Sequence, residues 1–293
     1  MCAEDEPLRI LNGIIDREIE RHPHNRALIE AFRPVLIARK RLLGRLDAGE
    51  AEPFAWDEAR FRGGVSLGAQ HPLFREDDPW EEIARAMLAA LAEGFPDLAA
   101  DLGRLKDALV QKKLDLYGCL KAGREEGKAR AEAWCASHSI SAGALGLLLS
   151  QVSRVLLEKR AADGAEWLAK AAWEQGYCPC CGALPSLSVI KEKLGERFLH
   201  CSGCGHDWRF SRVTCPACGH EGQQGMDFFY IEGEAQESAF ACDRCRRYLI
   251  TLSRMSDLNE RDLDVSALGL VHLDLILQDK QFAPMTVTDW NVF

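Results

Sequence analysis

Four C-x-x-C pairs constrain this chain more than any other feature: Cys178/Cys181, Cys201/Cys204, Cys215/Cys218 and Cys242/Cys245. Two thiolates separated by two residues in a tight turn reach one ion, and the turn's backbone N–H groups point at the sulfurs. Glycine after the second cysteine lets the chain turn away with positive φ. Gly182, Gly205 and Gly219 hold that place in three pairs, and Arg246 holds it in the fourth, which predicts a less regular turn there. A tetrahedral site takes four ligands, hence two pairs per ion. Nineteen residues separate the first pair from the second, 23 the third from the fourth, and ten the second from the third. Sequential pairing gives two ribbon-like modules, each two turns joined by a hairpin. A cross-braced arrangement, first with third and second with fourth, is the structural alternative.

Local ambiguities surround these eight expected ligands. The run Cys178-Pro179-Cys180-Cys181-Gly182 contains a third thiol, and the place of Gly182 favours Cys178 and Cys181 as the ligands, with Cys180 spare. His200, His206 and His220 lie beside the turns, but eight cysteines already fill two sites. Four thiolates suit zinc or iron alike. Zinc would be structural, and iron would be rubredoxin-like and able to carry one electron. With either metal the binding energy is folding energy, on the order of 10 kcal/mol per site.

Composition narrows the class. Nine of the 12 cysteines cluster between Cys178 and Cys245, leaving Cys2, Cys119 and Cys135 scattered before them. That is the pattern of a metal-binding chain in a reducing compartment, not of a disulfide framework. The acidic start Met1-Cys2-Ala3-Glu4-Asp5-Glu6 predicts no signal peptide. The stretch from Ala133 to Ser153 lacks charge, but Ser137, His138, Ser139 and Ser141 interrupt it, so no membrane span is expected. These features predict a cytoplasmic protein. A net charge of −9 argues against a protein built around a phosphate backbone.

The chain divides near residue 176. Before it, Trp80, Ile83, Ala84, Met87, Leu88 and Leu91 recur at helical spacing, with Asp78 and Pro79 as the expected start. Leu98, Leu102, Leu105 and Leu109 form another stripe, and Leu145, Leu148, Leu149, Val152, Val155 and Leu156 a third. Further helices are expected around 8–21, 25–46 and 123–137, the second kinked or split by Pro34. Asp47-Ala48-Gly49 and the span from Phe61 to Pro72 are expected loops. After Gly176, Arg197-Phe198-Leu199-His200 and Asp227 to Ile231 resemble strands, and Asp264 to Leu277 returns to a helical pattern.

The expected fold is therefore multi-domain. It has an all-α N-terminal domain (1–175), two small rubredoxin-like β modules (176–212 and 213–252) and a C-terminal helical tail (253–293). No Gly-rich phosphate loop or nucleophile elbow appears in 1–177, so no enzyme is expected and no catalytic or cofactor-binding residue is assigned.

Particular residues resemble the FdhE-type formate dehydrogenase accessory proteins. Tyr177-Cys178-Pro179-x-Cys181-Gly182-x-x-Pro185 looks like that family's first knuckle. Arg197-Phe198-Leu199-x-Cys201-Ser202-x-Cys204, with Trp208 and Arg212, resembles the second knuckle and its exit strand. Cys215-x-x-Cys218-Gly219 and Cys242-x-x-Cys245-x-x-Tyr248-Leu249 match the third and fourth. Asp264, Leu268 and the segment from His272-Leu273-Asp274-Leu275 to Phe282 look like its closing stretch. The resemblance implies a cytoplasmic assembly factor that binds the catalytic subunit of a molybdenum or tungsten formate dehydrogenase before twin-arginine export. That subunit needs the factor to become active.

Two other functions compete. A zinc ribbon that binds nucleic acid would use the small basic patch of Arg244, Arg246 and Arg247. However, eight basic against nine acidic residues fall in 178–251, and two metal tetrathiolates would deepen that charge. A redox protein acting in its own right would use an activated thiolate or iron.

Overall fold

The computed structural model describes residues 5–46, 56–121, 124–170, 172–192, 195–222, 224–231, 233, 236–255 and 261–291. Cys2 and the expected loop Asp47-Ala48-Gly49 lie outside them. Among the described residues, ten α-helices precede the first strand. They are α1 (Asp5–Arg21), α2 (Arg26–Leu46), α3 (Glu58–Arg62), α4 (Leu67–Gln70), α5 (Trp80–Gly94), α6 (Ala99–Val110), α7 (Leu116–Lys121), α8 (Arg124–His138), α9 (Ala142–Asp163) and α10 (Ala165–Leu168). Strands β1 (Pro185–Lys191), β2 (Arg197–Cys201), β3 (Asp207–Phe210), β4 (Met226–Tyr230), β5 (Glu237–Cys242) and β6 (Arg247–Met255) follow. Then come α11 (Leu263–Gly269), α12 (Val271–Asp279) and the short β7 (Ala283–Pro284). The architecture is helical, then β with two four-cysteine groups, then a short helical segment.

Two compact units interleave along the chain, so packing does not follow chain order. One comprises Met1–Asn12, Glu30–Glu50 and Pro72–Lys159; the other comprises Gly13–Ile29, Ala51–His71 and Arg160–Phe293.

The first unit is helical, built on the expected apolar stripes. Ile83, Ala84, Met87, Leu88 and Leu91 of α5 are buried, as are Leu102 and Leu105 of α6 and Leu145, Leu148, Val152, Val155 and Leu156 of α9. Of the kink or split expected at Pro34, the split does not occur: Pro34 sits inside a continuous α2. Burial of Phe32, Val35, Leu36 and Leu42 along one stripe outweighs the one backbone hydrogen bond that proline removes. Pro79, not Asp78, is the cap residue of α5, and the Asp78 carboxylate instead accepts from Arg75 N–H at 2.8 Å.

The second unit carries the sheet. Its strand order is β3-β2-β1-β6-β5-β4, with β7 added beside β6. Each cysteine module is a three-stranded antiparallel meander, β1-β2-β3 and β4-β5-β6. The two meanders join through a parallel β1–β6 pair, Leu187 opposite Ile250 and Val189 opposite Leu252. The modules thus share one sheet, and β6 runs on to Met255. Alternating residues Leu187 and Val189, Ala239 and Ala241, and Tyr248, Ile250 and Leu252 form a buried face with Leu270, Leu273, Leu277 and Phe282. Tyr248 hydroxyl donates to the Asp274 carboxylate on α12 and accepts from Gln278 Nε2 at 3.1 Å. Alternate positions facing the other way are polar yet fully buried: Ser188 Oγ and Thr251 Oγ1 lie 2.6 Å apart, and Ser238 Oγ donates to Thr251 O at 3.0 Å.

The span from Phe61 to Pro72, expected as a loop, holds the end of α3 and all of α4. Asp57 caps α3 by accepting from Ala59 and Arg60 N–H. The segment then hydrogen-bonds to the first cysteine turn: Leu67 N–H donates to Pro179 O at 2.9 Å and Gly68 N–H to Cys180 O at 2.8 Å. Tyr177 hydroxyl donates to Gly64 O at 2.6 Å. Between these segments lies an open cleft of about 490 Å³, lined by Gly64, Ser66, Tyr177, Cys181 and Gly182.

Candidate metal centres

Each C-x-x-C pair lies on the same local turn. The residue after the second cysteine donates its N–H to the carbonyl of the first cysteine: Gly182 to Cys178 at 2.9 Å, Gly205 to Cys201 at 3.1 Å, Gly219 to Cys215 at 2.9 Å and Arg246 to Cys242 at 2.8 Å. All four take left-handed φ, +77°, +68°, +67° and +56°. The fourth turn is therefore regular, correcting the expectation drawn from Arg246. Its side chain stacks on Phe282 at 3.7 Å and donates to the Lys280 and Gln281 carbonyls, contacts that offset the strain of the left-handed backbone.

These turns bring the eight cysteines together as 178/181/201/204 and 215/218/242/245, each group with its sulfurs within 4.8 Å of one another. The first pair meets the second and the third meets the fourth, not the cross-braced alternative. The Sγ–Sγ separations are 3.5 Å (Cys178–Cys204) and 3.3 Å (Cys181–Cys201) in the first group, and 3.7 Å (Cys215–Cys245 and Cys218–Cys242) in the second. A disulfide needs about 2.05 Å. A tetrahedron with bonds of about 2.3 Å has edges of about 3.8 Å, so the donor set and its spacing fit one tetrahedral ion per group.

Within each group one thiol is drawn down while neighbouring thiols are raised. Burial raises the Cys178 thiol well above its ordinary range. Burial also opposes ionisation of Cys201, yet its thiol falls well below the usual range, because Cys178, Cys181 and Cys204 hydrogen-bond to it. Gly203 and Cys204 N–H point at its sulfur from 3.3 and 3.4 Å. In the second group burial raises Cys215, whereas Cys218 is lowered against its burial, first by the His220 N–H. The first group is the more enclosed, and Cys218 of the second is exposed.

Arg197 is a site residue that spacing alone did not single out. It is buried on β2, and its guanidinium donates to Ser211 O at 3.4 Å and Thr214 O at 3.3 Å, next to Cys215. Its Nε and Nη2 have no hydrogen-bond partner among the described residues. Burial lowers its pKa to about 10, and the charge of Cys215 works in the other direction. A buried cation near Cys215 fits a tetrathiolate that carries net negative charge with its metal.

The neighbouring candidates are placed elsewhere. Cys180 is fully buried and hydrogen-bonds to Cys204, but it is not one of the four clustered sulfurs. His200 is held between two carboxylates, Nδ1 at 2.7 Å from Asp207 and Nε2 at 3.2 Å from Asp264. Burial opposes its charge, yet those carboxylates raise its pKa to about 10. His206 joins neither group, and its pKa is lowered by burial. His220 Nε2 contacts Gln224 O at 2.8 Å. Cys119 is half-buried and Cys135 buried; neither belongs to a four-sulfur group, and burial raises the pKa of both.

Residues 177–212 match the family described as FdhE, central domain. A curated Protein FdhE homolog from Shewanella oneidensis is 27% identical over 265 residues, 88% of this chain and 80% of that protein. This chain is similar to the FdhE proteins. Another FdhE homolog, from Aquifex aeolicus, is 33% identical over 116 residues, spanning 38% of this chain and 40% of that protein. The crystal structure of the FdhE protein from Pseudomonas aeruginosa shares the fold. Its TM-score is 0.60 at 20% identity, over 97% of this chain and 95% of that one. Among the described residues no helix is long and apolar enough to cross a membrane.

Proposed function

We propose that this chain is a cytoplasmic accessory protein, not an enzyme. It binds the immature catalytic subunit of a molybdenum or tungsten formate dehydrogenase and is needed for that subunit to become active before export. The observation that carries this proposal is the FdhE relationship across most of the chain, joined to two four-sulfur groups on a single sheet. Cys178, Cys181, Cys201 and Cys204 hold one metal ion, and Cys215, Cys218, Cys242 and Cys245 hold the other. Each ion is zinc or iron. Residues 176–212 and 213–252 act as the two modules, with 1–175 as the helical platform and 253–293 as the tail. No nucleic-acid role is assigned, because the charge balance of the cysteine region is unfavourable to one.

The enclosed first group supports a structural role for its ion. The exposure of Cys218 supports a second site that stays open to solvent and to exchange. An anaerobic pull-down from cells making a formate dehydrogenase tests the partner. The catalytic subunit is expected in the bound fraction, and its repeated absence there, with the accessory protein folded and metal-loaded, contradicts the proposal.

A further inference from the structure

The second unit contains another convergence of ligating side chains, away from the eight cysteines. His22 and His24 sit where α1 ends and the next turn begins, and His272 sits on α12. One ring nitrogen from each lies within 4.8 Å of the others. His24 Nε2 is 3.1 Å from His272 Nδ1. Two ligands at about 2.0–2.1 Å from a tetrahedral ion stand about 3.3–3.4 Å apart, so this pair is close to ligand spacing.

The surroundings are built to hold that convergence. Glu18 Oε1 and Glu237 Oε1 each approach His22 Nε2 to 3.3 Å. Glu18 is fully buried and His22 nearly so. Glu18 Oε1, His22 Nε2 and His272 Nε2 have no aligned hydrogen-bond partner among the described residues. Carboxylates beside a ligating imidazole fix its orientation and raise its basicity. Arg21 at 3.2 Å and Arg261 at 4.0 Å face the other oxygen of Glu18, so the two glutamates are partly balanced. Gly269 passes so close that a β-carbon there would lie 2.4 Å from Glu18 Oε1 and 2.8 Å from the His22 ring. Asn25 Nδ2 donates to the Gly269 carbonyl at 2.7 Å and pins this approach.

We propose that His22, His24 and His272 form a third metal site, for a borderline divalent transition ion such as zinc, cobalt(II) or nickel(II). Three imidazoles with adjacent carboxylates are the donor set these ions take, whereas the thiolate sites favour softer binding. His24 is exposed, so the site opens to solvent and leaves a coordination position for water or an incoming ligand. The ion would clip the α1 terminus to α12, joining positions 22 and 24 to position 272. The proposal is independent of the partner assigned above.

Cobalt(II) is the probe. Full-length, untagged protein is stripped of metal under reducing conditions, reloaded with cobalt and analysed for cobalt per chain. Thiolate-to-cobalt absorption in the near ultraviolet counts the cysteine sites separately and serves as the folding control. The wild type is expected to take three ions, and His24→Ala and His272→Ala two, with the thiolate absorption per chain unchanged. Two ions in the wild type, or three in both variants, overturn the proposal. A second measurement needs no variant: zinc titration followed by imidazole nitrogen NMR. The signals of His22, His24 and His272 are expected to shift together at one equivalent beyond the cysteine sites. Unmoved signals at that point also overturn it.

Discussion

Arg246 offers a sharp test of how the fourth cysteine turn is held. It is the one member of the four equivalent positions that is not glycine, at φ +56°. Left-handed backbone costs a residue with a β-carbon about 1–2 kcal/mol. Truncation to alanine keeps that strain and removes what offsets it. The stack on Phe282 at 3.7 Å is worth about 0.5–1 kcal/mol at a half-exposed site. The contacts to the Lys280 and Gln281 carbonyls together add about 1 kcal/mol. The exposed pair with Asp243 adds close to nothing. Arg246→Ala should therefore lose about 2 kcal/mol. Arg246→Gly loses the same contacts but releases about 1 kcal/mol of strain, for a net loss of about 1 kcal/mol. The order of stability is arginine, then glycine, then alanine. Thermal melting of the metal-loaded proteins, with the rate of chelator-driven metal release from the second site, reads that order. Alanine equal to or more stable than glycine refutes the assignment of strain to this position.

Two further outcomes follow from buried charge. Arg197→Met removes the cation beside Cys215, so affinity for the second ion should fall at least tenfold while the first site keeps its ion. Competition with a chromophoric chelator checks this, and equal loss at both sites contradicts it. Asp274 is held by burial at a pKa of about 7, above its ordinary 3.8, although the Tyr248 hydroxyl works the other way. The native state thus retains a proton that the unfolded chain releases, and this term weakens stability as pH rises from about 4 to 7. Asp274→Asn should match wild type near pH 4 and exceed it at pH 8 by on the order of 4 kcal/mol. Denaturation midpoints at the two pH values decide it, and a constant difference between the proteins contradicts it.

The parts of this fold that follow from local chemistry were legible in the sequence. Helical stripes such as Ile83 to Leu91 bury the residues their spacing marked, and of those marked from Leu145 to Leu156 all but the half-buried Leu149 are buried. The glycine after each of three cysteine pairs marked the left-handed position of the turn. What local pattern does not encode is long-range pairing. Nothing in β1 or β6 announces that Leu187 lies opposite Ile250 in a parallel pair that fuses two modules into one sheet. Pro34 breaks helices in isolation, but a buried stripe overrides one lost hydrogen bond. Arg246 keeps its turn regular through Phe282 and the Lys280 and Gln281 carbonyls, far along the chain, which local pattern does not encode. The histidines of the further site are invisible for the same reason: His22 and His272 meet only once the chain has folded.

The central claim is that eight cysteines hold two ions, paired as 178/181/201/204 and 215/218/242/245. Thiolate-bound metal per chain, counted from the thiolate-to-cobalt absorption of wild type, Cys201→Ser, Cys242→Ser and Cys180→Ser, tests it most directly. The account predicts two such ions in wild type and in Cys180→Ser, and one in each of Cys201→Ser and Cys242→Ser, with a lowered melting temperature. Unchanged absorption and melting in Cys201→Ser, or loss of an ion in Cys180→Ser, would contradict it.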